Sequence, residues 1–328
     1  MNLLHTLLHK RLDRFVEKKL LSELGCRGKR FSLSPTPLGV HNYVFYLDID
    51  TTHALVLKGI PKKKRFERIQ ACSAYLLERG INVPKILWAE EDSRVVKVLP
   101  LHIVCEERLR GRTLQEQNVT DEHVVAVARF FSALHGNTRH GWGKIHEEKQ
   151  KGLSEFLFNK TAERMKTWKK HDPQFSHRAG EELFGWMRTW EPEIDRISIF
   201  SLSHCDPNPG NILLTGQDRI FLLDTGHIRY LPRGVDFYTL EVHLCADNQE
   251  RIGIFEEAYC EGMDQGARSE FNRTKHFFKV FVVVNFAATL AVRLSRSLPG
   301  APFYDECSRY LQTAKQILSQ AVKEMPGC

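Results

Sequence analysis

The chain has 328 residues, of which 42% are hydrophobic and 27% are charged, and this is the composition of an ordinary soluble globular protein. Its length allows one large two-lobed domain or two modest ones. The formal net charge of +7 is a mild excess that most often only keeps a protein soluble. An anionic substrate or a membrane surface would also suit this charge, but we expect no nucleic-acid partner.

The cysteines are scattered through the chain. Eight are present, and no two of them form a C-x-x-C pair, which argues against a zinc site. Several lie inside apolar stretches, as buried reduced thiols do. Together with the lack of a signal peptide, this usage predicts a location in the reducing cytoplasm.

The first 24 residues carry leucines and other apolar residues at helical spacing, interrupted by charges from Lys10 onward. This pattern predicts an amphipathic helix rather than a targeting segment. Such a helix more often packs on its own domain than on lipid. Because a basic amphipathic helix can also lie on a membrane surface, peripheral membrane contact stays open.

Three short strands are predicted next, at 30–36, 43–49 and 54–57, and the third leads directly into Lys58. A turn-like stretch at 37–42 separates the first two strands. The basic run KKKRFER then opens a helix that extends to about Arg79. A run of charges of this kind is most often a solvated helix face.

Further strands are predicted at 85–89, 95–99 and 103–105, followed by an amphipathic helix at 121–135. More helices are predicted near 250–262, 268–296 and 304–324. The most apolar run, at 277–292, is shorter than the ~20 residues that span a bilayer. It also contains Lys279 and Asn285, so a buried helix is the better interpretation.

Polar residues of unusual type and spacing lie at 204–211 and 224–226. The first stretch reads His204-Cys-Asp206-Pro-Asn-Pro-Gly-Asn211 and the second reads Asp224-Thr-Gly226. Most of these residues are turn formers, so an ordinary loop is the alternative interpretation. A mere turn, however, does not require a second acid followed by glycine directly after a buried strand.

The sequence between these stretches, ILLTGQDRIFLL, predicts a β-hairpin. If its tip falls at 217–218, Ile212 lies opposite Leu223 and Asn211 lies opposite Asp224. Cross-strand neighbours are roughly 4.5–5.5 Å apart, so both polar side chains would reach one Mg²⁺, which favours oxygen ligands. Asp206, on the loop that enters the hairpin, would face the same point.

The combination H-x-D-x-x-x-x-N and D-x-G resembles the catalytic core of the aminoglycoside phosphotransferase and choline kinase group. The resemblance implies an α+β, two-lobed, protein-kinase-like fold. Residues 1–107 would form the N-terminal lobe, with the nucleotide-covering sheet, and 108–328 the mainly helical C-terminal lobe. One departure is Gly226, because many members carry a second acid at that position.

The same resemblance assigns roles in the N-terminal lobe. Gly39 and Asn42 belong to the loop that would cover the nucleotide phosphates, and Lys58 matches the lysine that pairs with the α- and β-phosphates. A glutamate of the following helix would anchor that lysine. Glu67 is the predicted residue, and Glu78 is the alternative.

The resemblance also assigns the hinge and the reaction centre. Backbone groups between Glu107 and Leu109 would bind adenine, and Asn211 and Asp224 would bind Mg²⁺. Asp206 would orient the acceptor hydroxyl and receive its proton. His204 would support this loop, and a later acid, Asp236, would brace it.

The predicted function is ATP-dependent transfer of the γ-phosphoryl group to a hydroxyl of a small molecule. Alternatives are a kinase of a lipopolysaccharide or lipid-linked sugar at a membrane and, from another class, a nucleotide-binding pseudokinase. An antibiotic kinase has no support from the net charge, and a protein kinase is disfavoured because no A-P-E segment follows Asp224. A P-loop NTPase is excluded, since no G-x-x-x-x-G-K-[ST] motif occurs. The acceptor, the choice between ATP and GTP and the oligomeric state stay open.

Overall fold

The computed structural model describes residues 3–36, 43–50, 53–93, 101–172, 175, 177–216, 219–246, 248–297 and 304–323. The strands are β1 Phe31–Pro35, β2 Tyr43–Ile49, β3 His53–Ile60, β4 Ile86–Ser93, β5 Leu101–Glu107, β6 Gly111–Thr113, β7 Thr138–Arg139, β8 Gly143–Lys144, β9 Phe200–Ser203, β10 Ile212–Thr215, β11 Ile220–Leu222 and β12 Arg229–Leu231. The helices are α1 Leu3–Phe15, α2 Leu21–Glu23, α3 Lys63–Glu78, α4 Asp121–His135, α5 Leu153–His171, α6 His177–Arg188, α7 Glu191–Asp195, α8 Gly234–Leu244, α9 Gln249–Cys260, α10 Gln265–Arg296 and α11 Tyr304–Lys323.

The chain divides into two compact units. The first comprises Met1–Asn118 and Pro209–His227, and the second comprises Val119–Asn208 and Ile228–Cys328. The hairpin β10–β11 and β6 share one three-stranded sheet, in the order β11-β10-β6, which keeps 209–227 with the N-terminal residues. The lobe boundary at 107/108 stays a prediction.

The first unit is built on a five-stranded antiparallel sheet in the order β1-β2-β3-β5-β4. The N-terminal helix covers this sheet through a π turn at Val16–Leu20 that joins α1 to α2. Its apolar side chains lie in one buried cluster with those of the central strands: Leu8, Leu12, Val16, Leu20, Phe45, Leu47, Leu57, Ile103 and Cys105. The expectation that this amphipathic helix packs on its own domain is therefore confirmed.

The register of β3 against β5 positions the charged residues of the sheet. Val56 lies opposite Glu106, and Lys58 lies opposite Val104. Since side chains two residues apart in a strand share a face, Lys58 and Glu106 are diagonal neighbours on one face. The predicted strand 95–99 lies outside the described residues.

The second unit is mainly helical, with one small sheet in the order β7-β9-β12-β8. Its central helix, α10, packs against α5, α8 and α11. By length and composition alone α10 could cross a bilayer, yet 61% of its apolar window is buried inside the protein. The buried helix predicted from the apolar run is confirmed.

Candidate functional site

The Lys58 ammonium lies in the first unit with its Nζ 2.6 Å from Oε2 of Glu106. The two side chains are only 15% and 7% exposed, so this is a largely buried ion pair. A buried ammonium needs a compensating charge or hydrogen bonds. Glu106 supplies that charge from β5, the strand next to Lys58.

The predicted pairing of Lys58 with Glu67 is wrong. Glu67 lies on α3 with 52% of its side chain exposed, and its carboxylate is 3.8 Å from Lys63. The alternative, Glu78, is the last residue of α3, whereas Lys58 pairs with Glu106 of β5. The sheet, not the helix, therefore anchors the lysine of this chain.

The predicted hairpin exists as β10–β11, but its register differs by one residue from the prediction. Ile212 lies opposite Leu222, and Thr215 N–H donates to the Arg219 carbonyl at 3.0 Å. Asn211 therefore faces Leu223, whose N–H donates to its carbonyl at 2.8 Å. The physical reason is that an odd number of residues separates Thr215 from Arg219, whereas a tip centred at 217–218 requires an even number.

Asp224 leaves the strand in an unusual conformation. Its φ of 49° lies in the left-handed region, and a 3₁₀ turn, Thr225–His227, follows it. At Gly226 an added Cβ would lie 2.9 Å from Cγ1 of Ile69 on α3. A side chain at position 226 would therefore require Ile69 to move, which favours glycine in this turn.

The Asp224 carboxylate has one partner and one orphan oxygen. Its Oδ2 accepts from Nη2 of Arg65 at 3.1 Å, while Oδ1 is buried and has no hydrogen-bond partner among the described residues. A buried carboxylate oxygen without a partner is costly, and it is the kind of ligand that a divalent cation satisfies. Asp224 therefore fits a metal site.

Asn211 ends the 3₁₀ turn Pro209–Asn211 and lies one residue from Asp224 across the hairpin. Within the described ranges no three His, Cys, Asp or Glu side chains cluster as metal ligands do. The candidate site thus offers one carboxylate and one amide. Mg²⁺ is commonly held by so few protein ligands, because it keeps waters and takes phosphate oxygens.

The predicted hinge is partly engaged in the sheet. The N–H of Glu107 donates to the Lys85 carbonyl at 3.0 Å, and the N–H of Arg108 donates to the Ala54 carbonyl at 3.0 Å. The N–H of Leu109 has no hydrogen bond to any described residue. Among the N–H groups of this stretch, that of Leu109 therefore remains for an adenine, and the assignment of the Glu107 backbone stays a prediction. Gly39 and Asn42 lie outside the described residues.

Asp206 belongs to the second unit, on a loop that Asp236 braces. The buried Asp236 carboxylate accepts the N–H of His204 at 2.6 Å and the N–H of Cys205 at 2.8 Å. Cys205 has a φ of 66°, so the chain turns through the left-handed region immediately before Asp206. The Asn208 side-chain amide then donates to Oδ1 of Asp206 at 3.1 Å, which orients the carboxylate. The bracing role predicted for Asp236 is confirmed, whereas the approach of Asp206 to the metal residues stays a prediction.

A buried hydrogen-bonded chain supports Asp236 in turn. His135 contacts Asp236 through Nε2 at 3.3 Å and the Tyr259 hydroxyl through Nδ1. Burial lowers the pKa of His135, although Asp236 opposes the shift, and burial raises the pKa of Tyr259. With both groups neutral, the Tyr259 hydroxyl donates to Nδ1, and Nε2–H donates to the Asp236 carboxylate.

His243, on α8, is a further titratable group near Asp206. Burial lowers the pKa of His243 to about 4; the negative charge of Asp206 opposes this shift and the positive charge of Arg293 adds to it. Its ring packs against that of Phe286 on α10, with centroids 5.4 Å apart. His243 is therefore neutral near pH 7.

Sequence reasoning missed Glu106 and Arg65. Glu106 could have been found by pairing the strands, because it is diagonal to Lys58 once β3 and β5 are aligned. Arg65 was treated as part of a solvated basic run. It shares the buried face of α3 with Ile69 and Cys72, at spacings of four and seven residues, and a charge on an apolar helix face was the available signal.

Comparison of the fold with solved structures gives several matches. A thermostable mutant of aminoglycoside phosphotransferase APH(4)-Ia matches with a TM-score of 0.65 and 16% identity, covering 95% of this chain and 100% of that one. Plasmodium vivax ethanolamine kinase matches with a TM-score of 0.60 and 13% identity, covering 96% and 90%. A choline/ethanolamine kinase family protein from Mesorhizobium loti matches with a TM-score of 0.60 and 16% identity, covering 95% and 98%.

At such identities the likeness is one of fold, and it confirms the predicted α+β, protein-kinase-like architecture. The chain has no match among curated protein sequences. At the level of family models, one described as "Phosphotransferase enzyme family" matches residues 32–268.

Proposed function

This chain belongs to the phosphotransferase enzyme family, and on that premise we propose that it is an ATP-dependent kinase of a small hydroxylated molecule. The observation that carries the proposal is the Asp224 carboxylate, whose buried Oδ1 lacks a partner beside the turn that holds Asn211. A ternary complex of a thermostable mutant of APH(4)-Ia contains AMP-PNP and hygromycin B, which supports a nucleoside triphosphate donor and a small-molecule acceptor.

On the donor side, Lys58 neutralises charge on the α- and β-phosphates, and Glu106 holds its ammonium in place at 2.6 Å. Asn211 and Asp224 would hold Mg²⁺ with an amide oxygen and a carboxylate. When bound, Mg²⁺ neutralises charge that develops on the phosphates. The N–H of Leu109, which has no partner among the described residues, binds the edge of the adenine ring.

On the acceptor side, Asp206 orients the substrate hydroxyl. A bond forms between the acceptor oxygen and the γ-phosphorus, and the bond from that phosphorus to the bridging oxygen of ADP breaks. The hydroxyl proton passes to the Asp206 carboxylate late in the reaction, after it has become acidic. Asn208 and the braced loop keep the carboxylate from rotating away.

The structure weakens the main support for the alternative of a kinase that acts on a lipid-linked sugar at a membrane. In the described part of the N-terminal segment, Leu8, Leu12 and Val16 are buried in the first unit, so these side chains are not available to lipid. A cytoplasmic location is also a proposal. Its support is that none of the cysteines in the described part of the chain forms a disulfide.

The test compares wild type with Asp206→Ala and Asp224→Ala. Thermal shift with ATP and Mg²⁺ measures binding, and phosphate release across pooled hydroxyl compounds measures turnover. Asp206→Ala should retain nucleotide binding and lose at least about 100-fold in turnover. Asp224→Ala should lose Mg²⁺-dependent binding. Asp195→Ala, which removes an exposed aspartate from the end of α7, is the matched control and should resemble wild type.

Two results would contradict the proposal. If wild type binds ATP and Mg²⁺ but phosphorylates no compound in any pool, the result supports the pseudokinase alternative. If neither nucleotide nor metal stabilises wild type, the donor assignment itself is wrong.

A further inference from the structure

An ion pair links the Asp224 carboxylate to α3. Nη2 of Arg65 is 3.1 Å from Oδ2 of Asp224, and the two side chains are 15% and 30% exposed. Arg65 reaches this point because it lies on the face of α3 that also carries Ile69, which packs under Gly226. A cation thus occupies one oxygen of the residue that is assigned to metal binding.

The pair is incomplete on both sides. Nε of Arg65 and Oδ1 of Asp224 are both buried, and neither has a hydrogen-bond partner among the described residues. A guanidinium presents its N–H groups as a planar fork, suited to a two-pronged anion such as phosphate. An anionic acceptor would satisfy Nε of Arg65, and a cation would satisfy Oδ1 of Asp224.

We infer that Arg65 is a second cationic residue for the donor triphosphate and that it competes with the metal for Asp224. This inference rests on the proposed function, since it assigns a residue to the same donor site. With no nucleotide bound, Arg65 holds Oδ2 of Asp224 and opposes a divalent cation through like-charge repulsion. The bound triphosphate supplies the negative charge that Arg65 then contacts, and Asp224 is released to the metal.

The balance of charges favours phosphate binding by Arg65 over a permanent structural ion pair with Asp224. A guanidinium and a dication on one carboxylate carry three positive charges against one negative charge. Such a cluster is stable only if an anion joins it. The neighbouring cations Lys62, Lys63 and Lys64 are exposed, whereas Arg65 is largely buried and its guanidinium donates to the Asp224 carboxylate.

The prediction is that metal and nucleotide binding are strongly coupled through Arg65. We would measure Mn²⁺ binding without nucleotide, and ATP binding at saturating Mg²⁺, by titration calorimetry on the full chain. Arg65→Gln should bind Mn²⁺ alone about tenfold more tightly and Mg²⁺·ATP about tenfold more weakly, since each change involves one charge-assisted hydrogen bond. Lys64→Gln removes the same charge from the adjacent exposed position and should change neither constant by more than about twofold.

The direction in which Arg65→Gln changes Mn²⁺ affinity distinguishes competition with the metal from a purely structural role. If Arg65→Gln weakens Mn²⁺ and Mg²⁺·ATP binding together, or leaves Mn²⁺ binding unchanged, Arg65 is only a structural link and the inference is wrong. Arg65→Lys, which keeps the charge and the packing but lacks the fork, covers the case in which glutamine disrupts folding. It should leave Mn²⁺ binding near wild type and still weaken Mg²⁺·ATP. If wild type itself fails to bind Mg²⁺·ATP, the proposed function has failed, which is a separate result.

Discussion

Replacing Glu106 by glutamine removes the negative charge that faces the Lys58 ammonium at 2.6 Å. The two side chains are 7% and 15% exposed, so water can replace little of the lost interaction. Removing one partner of a buried ion pair costs about 3–5 kcal/mol. Glutamine keeps the volume and one acceptor oxygen, so we expect the lower end, about 3 kcal/mol.

Urea denaturation followed by circular dichroism would measure this loss. Glu67→Gln is the matched control, because sequence reasoning assigned Glu67 the same role, but its contact with Lys63 is exposed and 3.8 Å long. An exposed pair contributes about 0–1 kcal/mol. Affinity for ATP should follow the same order, with Glu106→Gln weaker than Glu67→Gln by about tenfold, because only the former leaves the Lys58 ammonium misplaced.

The reasoning would be refuted if Glu67→Gln destabilised the protein as much as Glu106→Gln, or if it weakened ATP binding more. A further check is the double variant Lys58→Met/Glu106→Met, in which both charges are replaced by apolar groups. Its stability should return to within about 1–2 kcal/mol of wild type, because no buried charge is left alone. Additive losses in the double variant would mean that the two residues do not interact.

Three further predictions follow from other parts of the structure. His243 has its pKa lowered to about 4 in the folded state, so the unfolded chain takes up a proton first as pH falls, and stability should drop by up to about 3 kcal/mol between pH 6.5 and 4. His243→Phe should flatten that slope in urea titrations at several pH values, and an unchanged slope would contradict the assignment. Gly226→Ala should destabilise by about 1–3 kcal/mol through the clash with Ile69, whereas Gly216→Ala, which meets nothing within 4 Å, should not. Asp236→Asn, which faces two backbone N–H groups with only one remaining oxygen, should lower thermal stability by about 3 kcal/mol and lower turnover with it, and a fully active, stable variant would argue against the bracing role.

The parts of the candidate site that depend on residues close together in the sequence were predictable. The stretch from Asn211 to Asp224 contains its own turn formers and apolar runs, so the hairpin could be recognised from the letters. Its register could not, because a shift of one residue depends on loop geometry that the letters of 216–219 leave open. The same limit applies to the left-handed conformation of Asp224, which is not visible in its residue type.

Helix and strand positions were read from periodicity along the chain, and α4 occupies the predicted residues, 121–135, because amphipathic spacing and its N-terminal cap are contained within about one helix length. The choice of partners for the charged groups was not accessible in this way. Lys58 pairs with Glu106 of another strand, and Arg65 pairs with Asp224, which is 159 residues away in the sequence. An ion pair depends on distance in space and on exclusion of water, and both quantities exist only after the sheets and helices have packed together.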